Sequence, residues 1–218
     1  MSIVIALILG LLPSLAWLVF YLKEDPHPEP KKIIFLVFLA GMISTFIALG
    51  FQIVTNDWAI DHGIEKYSVL SFLMLGVIEE ILKFGAAWIV ALKFKDYFDE
   101  PVDAMIYMIV AALGFAAVEN IAAAVQMKMP VIETTSLRFI GATLLHTLSS
   151  GLMGYYWAVS VIKNKKSFLL IGLFAATVFH TIFNSLIVRY EPLVIPVSFL
   201  IIYAMFILYD FEKLKKLQ

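Results

Sequence analysis

The residues able to do chemistry in this sequence interrupt stretches that are otherwise apolar. Glu79, Glu80 and Lys83 lie in the run MLGVIEEILKFG, and Glu119 and Asn120 in GFAAVENI. His146 lies in LLHTLSSG, and His180 and Asn184 in FHTIFNS. An ionisable group at the centre of a bilayer costs about 2.5–3.5 kcal/mol on insertion scales and marks function by default. Carboxylates and imidazoles together support hydrolysis by two routes. In the first, which needs no cofactor, Glu80 takes a proton from a water held between it and a histidine. The other histidine and Asn184 then stabilise the oxyanion. In the second, Glu80, Glu119, His146 and His180 hold a divalent metal such as zinc, which generates the nucleophilic hydroxide. No HExxH helix is present, so such a site has to be assembled from separate segments.

Other chemistries are disfavoured. There is no cysteine, which removes thiolate nucleophiles, cysteine metal sites and disulfides. Ser149 and Ser150 follow His146 too closely to serve as its nucleophile, and Ser185 beside His180 points elsewhere. A net charge of −1 argues against a nucleic-acid partner. Blander roles compete for individual residues. Glu79 and Lys83 stand four apart in the order that favours an ion pair on one helix face, while Glu80 points about 100° away. Asn120 fits as a hydrogen-bonding link between helices. Asp103, near the start of its segment, fits as a charge at a helix N-terminus.

The elements that position these residues are read from hydropathy. Hydrophobic residues make up 62% of the 218 and charged residues 15%, with mean hydropathy +0.93. One soluble core cannot hide that excess, so lipid must solvate much of the surface. Seven stretches reach the roughly 20 residues needed to cross about 30 Å of hydrocarbon: 2–22, 33–54, 68–92, 102–127, 138–162, 167–187 and 193–210. The first reads as a spanning helix rather than a cleaved leader. Backbone groups cannot go unpaired in lipid, so the spans are predicted to be helices. The expectation is an all-α membrane bundle forming one domain over 1–218, with its catalytic core at about 68–190. Glycines at 10, 41, 50, 114, 151 and 154 are expected at close helix crossings. Tyr155, Tyr156, Trp157, Tyr203 and Tyr209 are expected mostly to face lipid or its boundary.

Lysine and arginine set the orientation. Eleven fall on one side, in the loops around 23–32, 93–95 and 163–166 and in the tail after 210; Lys66, Lys128, Arg138 and Arg189 fall on the other. That places the N-terminus outside and the C-terminus in the cytoplasm of a multi-pass cell-membrane protein. Counting 1.5 Å per residue inward from the span ends puts the two glutamates of span three roughly 17 Å below the outer side, and His146, Glu119 and His180 roughly 10–12 Å. Spans that each hide a polar group must turn those faces together, giving one carboxylate–imidazole cluster in the outer half of the bilayer.

The segments Glu79-Glu80-Ile81-Leu82-Lys83-Phe84 and Gly114-Phe115-Ala116-Ala117-Val118-Glu119-Asn120-Ile121, followed by His146 and His180, resemble the PrsW family of intramembrane endopeptidases. Asp103 in PVDAMIYM fits the same pattern, and the likeness covers about residues 70–185. The His180-xxx-Asn184 spacing is similar to the last motif of the wider superfamily that includes the prenyl-protein (CAAX) and bacteriocin-processing proteases. Those enzymes usually carry EExxxR, whereas Lys83 here stands one position earlier, which weakens any link to prenylated substrates. The resemblance implies cleavage of a membrane-anchored, single-span protein, typically an anti-sigma factor, near its outer boundary. It also implies site roles for Glu79, Glu80, Glu119, His146 and His180. Two readings from other classes remain: a proton- or ion-coupled transporter or channel, and a non-catalytic scaffold that binds a partner helix.

Overall fold

The computed structural model describes residues 3–126, 130–190 and 193–217. Ser2 and Met127, at the ends of spans one and four, lie outside the described residues, as does Lys128 of the charge count. Among the described residues there are eight α-helices and one short 3-10 turn. They are α1 (Ile3–Tyr21), α2 (Lys31–Asp61), α3 (Val69–Lys93), α4 (Pro101–Gln126), α5 (Val131–Ile140), α6 (Ala142–Ile162), α7 (Ser167–Arg189) and α8 (Val194–Lys215). Local chemistry explains the starts. Pro30, Pro101 and Pro130 stand at the beginnings of α2, α4 and α5, where a missing N–H costs nothing. Ser68 accepts a hydrogen bond from the Ser71 N–H at the start of α3.

Seven of the helices are long, and α5 is a ten-residue piece. By length and composition α1, α2, α4, α7 and α8 are apolar enough to cross a membrane. α3 contains Glu79, Glu80 and Lys83 in its middle, and α6 is diluted by His146, Thr147, Ser149 and Ser150. The protein is a polytopic helical bundle. Its outer surface is covered by large apolar side chains such as Phe46, Val54, Ile89, Leu170, Phe174 and Met205. An open face of that kind needs lipid as its solvent.

α4 is the axis of the bundle. Residues 102–117 are buried without a break, because α1, α2 and α6 pack along it while α3, α5 and α8 also touch it. Three crossings of α4 depend on glycine. Gly41 and Gly114 let α2 and α4 approach backbone to backbone: a Cβ at either would lie 2.0 Å from a carbonyl oxygen opposite, that of Ala111 or Phe38. Gly154 brings α6 close to α4 at Met105 and Gly10 brings α1 close to it at Ile121, a Cβ there lying 2.6 and 2.7 Å from the facing Cα. Thr45 Oγ1 reinforces the first crossing by donating to the Phe115 carbonyl at 3.2 Å.

The structure corrects several expected boundaries. α2 runs on to Asp61, two turns past the expected end at 54. The stretch 138–162 is not one span: Gly141 breaks it, and Arg138 belongs to α5. Gly50 has nothing within 4 Å of where a Cβ would stand, so it marks no crossing. Trp157 is buried, stacked on Phe98 at 4.8 Å, rather than facing lipid.

Candidate active site

Helices α3, α4, α6 and α7 each contribute to one buried cluster. On α3, Glu79, Glu80 and Lys83 sit three and four residues apart, so the lysine lies one turn along from both acids. Lys83 Nζ is 2.9 Å from Glu80 Oε1 and 3.3 Å from Glu79 Oε2. It also donates to His146 Nδ1 of α6 at 2.8 Å and lies 4.7 Å from the centre of the Phe115 ring. His146, Ser149 and Ser150 share a face of α6 by the same spacing. Ser149 donates to Glu80 Oε1 at 3.0 Å and Ser150 to Glu80 Oε2 at 3.3 Å. From α7, His180 Nδ1 meets Glu80 Oε1 at 3.0 Å. Glu80 is therefore fully buried and held from three helices.

Glu119 of α4 takes the other ring nitrogen of His146, Nε2, at 3.0 Å. Arg138 of α5 clamps this acid: Nη2 is 2.9 Å from Glu119 Oε2, while Nε donates to Asn120 Oδ1. Asn120 donates to Thr143 of α6 at 3.0 Å and to Ser14 of α1 at 3.5 Å, so it joins three helices at α4. On the opposite flank, Gln52 of α2 donates to Glu79 Oε1 at 2.9 Å.

The hydrogen bonds fix the imidazole tautomers. An ammonium only donates and a carboxylate only accepts. His146 therefore accepts at Nδ1 from Lys83 and donates from Nε2 to Glu119. His180 donates from Nδ1 to Glu80, leaving its Nε2 lone pair free. Glu79 Oε2 is 3.7 Å from both His146 Nδ1 and His180 Nε2. The rings meet edge to face, with centroids 5.3 Å apart. One nitrogen of each imidazole and one carboxylate oxygen thus converge, all within 4.8 Å of one another.

That donor set fits a metal. Two histidines and a glutamate are a recurrent catalytic zinc set, and each histidine here has a carboxylate on its far nitrogen, the arrangement that fixes tautomer and raises ligand basicity. The sequence reading placed Glu80 and Glu119 among the metal donors. In the structure they lie behind the imidazoles, and Glu79 takes the front. Asn184 makes no side-chain hydrogen bond with the cluster among the described residues, and Asp103 stands at the far end of α4, accepting from the backbone N–H groups of Asp99 and Glu100.

A family model described as PrsW family intramembrane metalloprotease matches residues 29–209. The chain belongs to the PrsW family. A Protease PrsW of Geobacillus kaustophilus is 29% identical over 188 residues, covering 84% of this chain and 79% of the relative. That of Bacillus subtilis is 30% identical over 148 residues, 67% of this chain and 65% of the relative. The Clostridioides difficile protein of the same name is 24% identical over 183 residues. No solved structure matches the chain. The PrsW match includes every residue of the cluster, from Gln52 to His180.

Sequence reasoning missed four contributors. Gln52 is a lone amide in an apolar run, a signal of the same kind as Glu80. Arg138 was read only as a topology charge. Ser149 and Ser150 stand out in sequence only as candidate nucleophiles, whereas they donate to Glu80.

Proposed function

We propose that this PrsW family member is a metal-dependent intramembrane endopeptidase that cleaves single-span membrane proteins within the bilayer near its outer face. The observation that carries this is Glu79 Oε2 lying 3.7 Å from both His146 Nδ1 and His180 Nε2, the ring nitrogens not engaged by a carboxylate. Glu79, His146 and His180 would hold the ion. A zinc-type ion bound there would polarise the scissile carbonyl and acidify a water.

The chain's own groups support that chemistry. Glu80 positions His180 through Nδ1, and Glu119 positions His146 through Nε2. Lys83 balances the adjacent glutamates with a fixed positive charge, and its bond to His146 Nδ1 would have to yield for that nitrogen to hold an ion. Ser149 and Ser150 hold the Glu80 carboxylate in place. Glu79, His146 and His180 are almost fully buried, so a peptide reaches them only when helices separate. Burial keeps bulk water from the reacting groups and strengthens each electrostatic contact. The Gln52–Glu79 bond ties α2 across the front of the cluster, and α5 covers its end through Arg138. Substrates of the anti-sigma-factor type are single-span proteins that this entry suits. The lysine and arginine distribution supports an outside N-terminus, with the α5 end of the bundle outward.

The test is cleavage of candidate single-span proteins by purified protein in liposomes, with chelator and after zinc is restored. Activity that is lost with chelator, returns with zinc and is absent in Glu79→Ala and His180→Ala variants supports the proposal. Unchanged cleavage by folded Glu79→Ala protein refutes it. Chelator-insensitive cleavage that still needs both residues removes the metal and leaves glutamate–histidine water activation.

A further inference from the structure

A second cluster of oxygen ligands lies at the opposite end of α4 from the candidate active site. The loop between α1 and α2 brings Asp25 and Glu29 against Asp99, Glu100 and Asp103, which lead into α4. Oxygen atoms of Asp25, Glu100 and Asp103 come within 4.8 Å of one another, and so do those of Glu29, Asp99 and Asp103. The two groups share Asp103. A cleft of about 480 Å3 opens beside them, lined in part by His27, Glu29, Asp99 and Glu100.

Acids alone would mean little on a protein surface. Here two buried polar atoms outside the usual accounting point to a ligand. Tyr107 lies one turn after Asp103, is fully buried, and its hydroxyl has no hydrogen-bond partner. That hydroxyl points to the Glu29 carboxyl, at the limit of hydrogen bonding, and lies close to Asp25 and Asp103. Asp25 is 5% exposed, and its Oδ2 is also unpartnered, while Oδ1 accepts from the His27 N–H at 3.0 Å. Native proteins rarely leave buried oxygens unpaired.

Two cations near the cluster are already engaged. His27 pairs with Glu100 at 2.5 Å. Lys215 lies near Asp25 but is bound to Glu24 at 2.7 Å.

We propose that this cluster binds a hard divalent cation, calcium or magnesium, through Asp25, Glu29, Asp99, Asp103 and the Tyr107 hydroxyl, so that the cation clamps the α1–α2 loop to the start of α4. The donor set is all oxygen, which excludes the softer preference of the Glu79–His146–His180 site. Within each trio, oxygens no more than 4.8 Å apart suit a calcium ion, whose bonds are about 2.4 Å, so that ligands on opposite sides stand about twice that apart. Because the cation binds the folded loop pair and not the separated chain, it stabilises the fold by mass action.

The experiment uses the full chain, purified in detergent and stripped with chelator. Equilibrium dialysis against calcium-45, with magnesium as competitor, measures binding, and thermal melting measures the consequence. The expected result is one saturable cation per chain and a melting temperature that rises with cation concentration. The Asp25→Asn/Glu29→Gln double variant should lose both effects, whereas His146→Ala should retain both. Tyr107→Phe, which removes only the hydroxyl, should bind more weakly and serves if the double variant does not fold. Absence of saturable binding by the unsubstituted chain overturns the proposal. So does unchanged binding in the double variant or in Tyr107→Phe, or binding that disappears with His146→Ala alone.

Discussion

Adding one methyl group at Gly114 should disable the cluster from a distance. A Cβ built there lies 2.0 Å from the Phe38 carbonyl oxygen, 2.9 Å from its carbon and 3.1 Å from the Met42 nitrogen. Ordinary carbon–oxygen approach is about 3.3 Å, so α2 and α4 must part by about 1.3 Å. Both sides of the clash are helix backbone, and no rotamer relieves it. If α2 moves as a body, the 2.9 Å Gln52–Glu79 bond stretches to about 4.2 Å, beyond hydrogen bonding. If α4 moves instead, the 3.0 Å Glu119–His146 contact is lost in the same way. Overpacking of this sort costs about 1–3 kcal/mol, and misplacing a catalytic group by about 1 Å can cost 10²-fold in rate. Gly114→Ala is therefore expected to melt earlier and to cleave a single-span reporter in proteoliposomes at least ~10-fold more slowly. The protein has four tryptophans and no cysteine, so intrinsic fluorescence is a suitable melting probe. Gly50→Ala is the matched control: nothing lies within 4 Å, and alanine should stabilise an open helix position by about 0.5–1 kcal/mol. A Gly114→Ala protein with unchanged melting and unchanged cleavage would refute the backbone-contact reasoning.

Other outcomes follow from the same contacts. Arg138→Ala should leave a folded protein with cleavage reduced about 10–100-fold, the usual loss when a partner behind a metal-site histidine is disturbed; an unchanged rate would mean that Arg138 does not hold Glu119 in the working state. Lys83→Met strands two buried carboxylates and should destabilise by about 3–5 kcal/mol. Pairing it with Glu80→Gln should recover part of that loss in a double-mutant cycle, and strict additivity would show that the two groups are uncoupled. Ser149→Ala, which removes a donor to a buried charge, should cost about 1.5–3 kcal/mol in thermal or denaturant melting.

Much of the architecture was legible because membrane solvation leaves a coarse signal. Long apolar runs separated by KEDPHPEPKK, KFKDYFDEP and KNKK have few alternatives to spanning helices. The split at Gly141 was not legible, since LRFIGATLLH is apolar on both sides of the glycine and hydropathy averages across it. The end of α2 was missed because Asn56 and Asp57 look like a loop by composition, yet the helix continues through them. For the site, residue types marked which side chains must converge, because each of them is costly in lipid. Which atom faces which depends on helix rotation, and a sequence does not encode that visibly. Glu79 and Glu80 are chemically identical neighbours; only the 100° turn between them sends one forward to two imidazole nitrogens and the other back to Ser149, Ser150 and His180. Glycines pose the same problem: nothing local separates Gly114, packed against Phe38, from Gly50, which faces open space.

The internal pairing on α3 also bears on how the protein is made. Two acids and a lysine within five residues make this helix a poor candidate for insertion by itself, since each charge penalises partitioning from the translocon. Lys83 lowers that burden early because its partners lie on its own helix, whereas Ser149, Ser150 and His180 emerge from the ribosome much later. Nascent chains ending before α6 should therefore hold α3 loosely, at the boundary or beside a chaperone. Secure lodging of α3 then waits for the second half of the polypeptide, so biogenesis and maturation of the hydrolytic centre become one event.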